Sequence, residues 1–223
     1  MTRYTTLLLA ATLAACGTRT SKATDTATAH VPADPDVAAQ GTGIPAGFTA
    51  ITDDTTAQIT NARYVTKAGS WEVTTGPAHI VFAARDTARG AYTASTSFTQ
   101  LEAPRHPEGY GIFVGGRDLE SRNRAYTYFL VRGNGEFLVK QRVGAKVTDV
   151  LAWRSNPAVP KADSSGKASY RLAIHVDADS VHFLVNDQQV AALKGATVAT
   201  DGVAGLRINH NLHVTTAPIA ITR

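Results

Sequence analysis

The chain has 223 residues but only one cysteine, one methionine and two tryptophans, and only 18% of its residues are charged. A single cysteine, Cys16, excludes an internal disulfide framework and any cysteine-built zinc module. No block of Lys and Arg occurs, and the net charge is only +4, so no nucleic-acid partner is expected. The one markedly apolar run, near the start, falls short of the about 20 residues that a membrane-spanning helix takes. Beyond residue 47 no segment keeps a helical apolar period over three turns, which argues against a helical bundle. What the chain does have is 43% apolar residues, enough for a large core in one domain.

The N-terminal residues read as an address. Arg3 supplies a positive charge, and the uncharged, mostly apolar stretch from Tyr4 to Leu13 suits the hydrophobic part of an export signal. It leads into Leu13-Ala14-Ala15-Cys16-Gly17, which resembles the bacterial lipobox, where the chain is cut before a cysteine that becomes lipidated. Small Ala14 and Ala15 give the peptidase access to the bond, and the Cys16 thiol is the acyl acceptor. Residues 1–15 are therefore expected to be a lipoprotein signal peptide and Cys16 a lipidation site. The alternative is an ordinary secretory signal cut at Ala-x-Ala, with Cys16 incidental. Three acyl chains, which the resemblance implies, exceed the two-signal requirement for stable anchoring.

Residues 16–47 then read as a flexible tether, since the stretch from Gly17 to Gly43 holds no aromatic and almost no large aliphatic residue. As a coil it spans roughly 25–30 Å. Gly17 stands where, by resemblance to enterobacterial lipoproteins, an Asp would mark inner-membrane retention. The expected location is the cell envelope, lipid-anchored, and the outer membrane if the cell is Gram-negative. The membrane is then a partner through the N-terminal lipid.

From residue 48 to 223 the apolar period is close to two. Strands are predicted at Ser70–Thr75, His79–Ala84, Ala91–Gln100, Tyr110–Gly115, Ala125–Arg132, Glu136–Val143 and Val147–Trp153. Further strands fall at Ser169–Val176, Ser180–Asn186, Gln189–Leu193, Val203–Asn209 and Leu212–Thr222, the last broken by Pro218. Gly133-Asn134-Gly135, Gly144-Ala145 and Asn186-Asp187 are hairpin signals. Arg105–Glu108, Arg117–Arg124 and Trp153–Lys167 read as loops. About a dozen short strands without an internal repeat predict an all-β fold, a two-sheet antiparallel jelly-roll sandwich.

Alternation also assigns faces. Thr127, Phe129 and Val131 share one side of their strand, and Tyr126, Tyr128, Leu130 and Arg132 the other. Phe137, Val139 and Val143 are expected inward, with Glu136, Leu138, Lys140 and Arg142 outward. Leu206 and Ile208 are expected in the core, opposite Arg207 and Asn209. If these strands adjoin, Tyr126, Tyr128, Arg132, Lys140, Arg142, Arg207 and Asn209 form one outward patch. Aromatic rings flanked by guanidinium and amide groups suit a sugar, whose C–H faces pack on rings while its hydroxyls take forked hydrogen bonds. A solvated outer face with Tyr and Arg as good strand formers is the plainer alternative.

Six segments carry a family resemblance: Trp71-Glu72-Val73, Gly90-Ala91-Tyr92, Tyr110 to Gly116, Tyr126 to Phe129, Phe183 to Asn186 and Gly202 to Arg207. In order and spacing they resemble the concanavalin A-like lectin/glucanase superfamily, closest to its laminin-G-like and 3-keto-disaccharide-hydrolase-like domains. The resemblance implies a jelly roll and a carbohydrate or glycan partner, in a superfamily of sugar binders, glycan-cleaving enzymes and adhesion modules.

Its glucanases carry a Glu-x-Asp-x-x-Glu strand motif. The five glutamates here, Glu72, Glu102, Glu108, Glu120 and Glu136, place no two on one strand at the spacing a retaining pair needs. No catalytic residue is therefore assigned. No metal site is assigned either: His210 and His213, with His175 and His182 nearby, lack a visible third ligand. No cofactor is expected; calcium is the alternative weighed, for which Asp118, Glu120 and Asn123 share a loop, but Arg117, Arg122 and Arg124 in the same loop oppose a cation. The expected function is non-catalytic glycan binding. The alternatives are a glycoside hydrolase with an unrecognised carboxylate site and a structural or adhesion lipoprotein that holds an envelope protein.

Overall fold

The computed structural model describes residues 43–223. The signal segment, Cys16 and all but the last five positions of the tether lie outside the described residues. Fifteen strands follow in chain order: β1 (Thr49–Thr52), β2 (Arg63–Lys67), β3 (Ser70–Thr74), β4 (His79–Ala88), β5 (Tyr92–Gln100), β6 (Tyr110–Arg117), β7 (Ala125–Arg132) and β8 (Glu136–Val143). They continue with β9 (Lys146–Ser155), β10 (Ala168–Val176), β11 (Ser180–Val185), β12 (Gln188–Lys194), β13 (Gly202–Ile208), β14 (His213–Thr216) and β15 (Ala220–Thr222). The only helical elements among the described residues are 3-10 turns at Ile59–Asn61 and Gly195–Thr197.

The strands form two antiparallel sheets. One runs β1-β4-β13-β6-β7-β8-β9, the other β12-β11-β10-β5-β14-β3-β2, with β15 beside β5. Strands distant in sequence lie side by side, β4 next to β13 and β5 next to both β10 and β14. Period-two sequences force this outcome, because each strand has one apolar face and two such sheets bury them against each other. Phe129 meets Phe183 at 5.3 Å between ring centroids and Phe98 meets Tyr110 at 5.2 Å, so aromatic contacts bridge the layers. Leu206 and Ile208 are in this core.

Turn chemistry sets the hairpins. Asn186 and Asp187 have φ of 50° and 65°, the two left-handed positions that a two-residue hairpin requires, and Asn and Asp tolerate them best after glycine. Gly133-Asn134-Gly135 joins β7 to β8 so that Arg132 pairs with Glu136. Predicted Leu212–Thr222 resolves into β14 and β15 on either side of Pro218, while β9 extends past Trp153 to Ser155 and shortens the following loop.

Val143, expected inward, is instead 59% exposed. It ends β8, paired with the first residues of β7 and β9, and so sits at the rim of the sandwich, where no facing side chain covers it. The outward side of the seven-stranded sheet also differs from a simple solvated face. Ile80, Phe82, Phe113, Leu119, Tyr126, Tyr128, Leu130 and Leu138 pack there into a second apolar cluster.

Buried polar contacts also link the two sheets: the Tyr110 hydroxyl of β6 donates to Gln100 Oε1 of β5 at 3.3 Å, and His79 of β4 meets Tyr64 of β2. His79 donates from Nδ1 to the Pro77 carbonyl at 2.9 Å, which leaves Nε2 to accept from the Tyr64 hydroxyl at 2.5 Å. Burial holds the imidazole neutral and lowers its pKa to about 4.

Candidate functional site: the outer face of the seven-stranded sheet

Register brings the outward residues of β7 and β8 into cross-strand rows: Tyr126 with Arg142, Tyr128 with Lys140, Leu130 with Leu138, and Arg132 with Glu136. Two strands away across β6, β13 carries Arg207 outward. Four of the expected residues, Tyr126, Tyr128, Arg142 and Arg207, converge on a carboxylate that the sequence did not mark. Asp53 follows directly on β1 and is tied down by its own N–H, which donates to the Ala78 carbonyl at 2.9 Å.

Arg207 grips that carboxylate with both terminal nitrogens, Nη1 at 2.9 Å from Oδ1 and Nη2 on Oδ2. Arg142 Nη1 adds a third contact at 3.1 Å, while its Nε holds the Gly144 carbonyl. Arg124 donates to the Thr52 carbonyl at 3.0 Å and so braces the segment. The Arg207 guanidinium lies 4.9 Å over the Tyr128 ring, a cation–π contact, and the Tyr126 hydroxyl is 3.5 Å from Nη1.

Burial pushes the Asp53 carboxyl up, but Arg207, then Arg142 and Arg124, outweigh it and hold it below the ordinary range. Burial likewise pulls against the Arg207 charge, and Asp53 more than restores it. Tyr128 is pushed up to about 12 by burial. Tyr126 and Tyr128 are 1% and 6% exposed, so they form the bed beneath this network and offer no ring face for stacking.

The other three expected residues stand apart from that clasp. Lys140 pairs with Asp149 at 3.0 Å on the neighbouring strand. Arg132 belongs to a group further along: its Nε donates to Glu136 Oε2 at 2.7 Å, Asn134 donates to the same oxygen, and its guanidinium lies 4.2 Å over Trp153. Asn209, just past β13, donates to Glu108 Oε2 at 3.2 Å, and Glu108 also meets His210 Nε2 at 3.1 Å. A cleft of about 140 Å³ opens between Asp53, Asp54, Ala57, Pro77, Ala78 and His210.

The reachable chemistry of the face is polar and charged. Asp149 is 52% exposed, and Asp53, Lys140, Arg132 and Glu136 are half-buried. Three buried side-chain atoms among the described residues lack a hydrogen-bond partner, and all three belong to these groups: Asn134 Oδ1, Arg207 Nε and Asn209 Oδ1.

Sequence reasoning missed Asp53, Asp149, Trp153, Glu136 and Glu108. One signal pointed to the carboxylates. Four cations expected on one half-buried face need counter-charges, because unpaired charge there is costly. The loop residues Asp118, Glu120 and Asn123 are not gathered into a group that could hold a metal; among the described residues no such group of three His, Cys, Asp or Glu is found.

The sandwich is similar to the carbohydrate binding module CBM66 from Bacillus subtilis. The TM-score is 0.55 at 10% identity, over 79% of this chain and 96% of that one. It is similar also to a protein of unknown function with a galectin-like fold from Bacillus subtilis, with a TM-score of 0.57 at 14% identity, over 78% and 88%. No protein-family model matches the chain, and no curated protein matches it by sequence. At these identities the likeness is one of fold, that of a two-sheet antiparallel jelly-roll sandwich.

Proposed function

We propose that the protein is a non-catalytic glycan-binding module, held at the cell envelope by lipid on Cys16 once residues 1–15 are removed. In a Gram-negative cell the membrane concerned is the outer one. The observation that carries the binding reading is the outer face itself: Lys140 and Asp149 on β8 and β9, and Asp53 just past β1, are partly exposed beside the more covered Arg142, above a packed aromatic bed. Such a row of paired donors and acceptors matches the vicinal hydroxyls of a sugar, and its alternating charges keep it solvated when empty. The fold it shares with a carbohydrate binding module supports the reading. The exposed large apolar residues are only Val143 and Val147 among those described, which gives less support to an apolar docking face for an envelope protein.

A hydrolytic reading finds less support on this face. Glycoside cleavage needs a carboxyl whose pKa is raised enough to deliver a proton. Here the hydrogen bonds from Arg132 and Asn134 hold Glu136 below the usual range, and Asp53 is held low by its arginines. Asp149 and Glu108 each face a cation or an imidazole.

The test uses the exported chain with Cys16→Ser on a panel of neutral and acidic polysaccharides. Binding to at least one is expected, with a tenfold or greater loss in Lys140→Ala/Asp149→Ala at an unchanged unfolding midpoint. Binding to none, or full binding by the double variant, overturns the reading. The anchor is tested separately by fatty-acid labelling of cells, expected for the native chain and lost in Cys16→Ser.

A further inference from the structure

At the end of the sandwich that holds the β7–β8 turn, three connecting segments close around a cleft of about 180 Å³. Ala103, Pro104 and Pro107 come from the link between β5 and β6, Ala162 from the link between β9 and β10, and Asn134 from the turn, while Gln100 ends β5. No charged side chain among the described residues lines it. Hydrogen bonds fix its shape. The Ala162 N–H donates to the Gly133 carbonyl at 2.7 Å, and Gln100 Nε2 donates to the Gly166 carbonyl at 2.6 Å. The Tyr170 hydroxyl holds the Pro160 carbonyl at 2.9 Å. The cleft is therefore formed before anything enters it.

The two amides of the cleft differ. Gln100 has both ends engaged, since its Oε1 accepts from the Tyr110 hydroxyl at 3.3 Å. Asn134 has one. Its Nδ2 donates to Glu136 Oε2 at 2.7 Å, and this fixes which end of the amide is oxygen, because the reverse placement would set oxygen against a carboxylate. Asn134 Oδ1 is buried without a hydrogen-bond partner. A buried carbonyl without a donor is costly, and a donor brought to it from the cleft meets little competition from water. The walls beside it, from Ala103, Pro104, Pro107 and Ala162, offer methyl and ring-methylene groups.

The group that fits is small and neutral, apolar at one end and an N–H donor at the other. A carboxylate, phosphate or ammonium would enter without a counter-charge on the walls. A bare hydroxyl would leave the apolar walls unfilled. An acetamido group carries both parts in one planar unit. We propose that the cleft receives the acetamido group of a 2-acetamido sugar, its N–H donating to Asn134 Oδ1 and its methyl packing on Ala103, Pro104, Pro107 and Ala162. This assigns a sugar class to the glycan site and rests on the glycan-binding reading. Asn134 leads into Glu136, and Lys140 lies four positions further along β8, roughly 13 Å at the rise of a strand. A few sugar rings laid along β8 reach from the Lys140–Asp149 pair to the cleft.

The experiment titrates the exported chain carrying Cys16→Ser with the β-1,4-linked trimer of N-acetylglucosamine and, separately, with the β-1,4-linked trimer of glucose, which has hydroxyls in place of the acetamido groups. The acetylated trimer is expected to bind at least tenfold more tightly. Asn134→Ala, which removes the acceptor, and Ala162→Leu, which fills the cleft, each abolish that preference and leave binding of the glucose trimer unchanged. Should either variant unfold, saturation-transfer NMR on the chain without it gives the readout, with the acetamido methyl expected as the most strongly saturated ligand proton. Equal binding of the two trimers, a preference that survives in Ala162→Leu, or a methyl no more saturated than the ring protons overturns the proposal and leaves water as the donor to Asn134. Those outcomes spare the glycan reading as long as some polysaccharide of the panel binds; binding to none removes both.

Discussion

His79 sits wholly buried between the Pro77 carbonyl and the Tyr64 hydroxyl, with its pKa lowered from 6.5 to about 4. The unfolded chain therefore takes up this proton first as pH falls. The His79 contribution is fully present above pH 6.5, declines between 6.5 and 4, and is spent below, a loss of up to about 3 kcal/mol. Asp53 has the opposite chemistry and the same direction. Its carboxyl is held low by Arg207, so its contribution is present above its ordinary value near 3.8 and is lost further into acid. Urea midpoints at pH 7.5, 5.5 and 4.5 should fall in that order, and the slope should vanish in His79→Leu at whatever stability that variant retains. A flat profile in the native protein would mean that His79 binds its proton as readily in the folded chain as in the unfolded one. Neither residue advertised its role. His79 opens an apolar strand like any core residue, and Asp53 sits in Asp53-Asp54-Thr55-Thr56, which reads as turn chemistry; its partner Arg207 is 154 positions away.

At the level of the elements, β6 is bent by a bulge between Val114 and Arg117, and the bend brings Gly115 against the segment ahead of β13. Gly115 has φ of 68°, and a Cβ there would run into the Ala199 carbonyl oxygen. Gly115→Ala is thus expected to cost more than about 2 kcal/mol, from left-handed strain plus the displaced Ala199–Thr200 backbone. Chemical denaturation measures it, and a loss under about 0.5 kcal/mol would show that the bulge relaxes freely. The bulge was invisible in the sequence, although the strand was plain: Tyr110-Gly111-Ile112-Phe113-Val114 is apolar throughout because both of its faces are buried. β1 and β2 escaped notice for the reverse reason. Thr49–Thr52 is only four residues long and half-buried, and in Arg63–Lys67 only Tyr64 is fully covered, so neither shows a clear alternation. The candidate patch was legible as a set of outward residues on β7, β8 and β13. Its division into four groups was not, because the dividing contacts come from Asp53, Asp149, Glu136 and Glu108, none of which was counted in the patch.

Across the whole molecule, the two sheets share a continuous core, while β1 adds only an edge to the first of them. Yet β1 leads directly into Asp53 and places Ile51 against the cluster that holds Ile80 and Phe82. A chain that starts at Gln58 should therefore still collapse into a sandwich. It should unfold at lower urea than one that starts at Gly43, and it should lose glycan binding as Arg207 and Arg142 lose their shared anion. Equal binding by the two fragments would remove Asp53 from the site. The same clasp joins the first described strand to the thirteenth. A polypeptide still emerging from the ribosome, or one released before β13 is made, has Asp53 but no guanidinium from Arg207 to grip it. If this face binds as proposed, only a molecule that has made β13 can do so, and a product truncated before it would be silent rather than partly active.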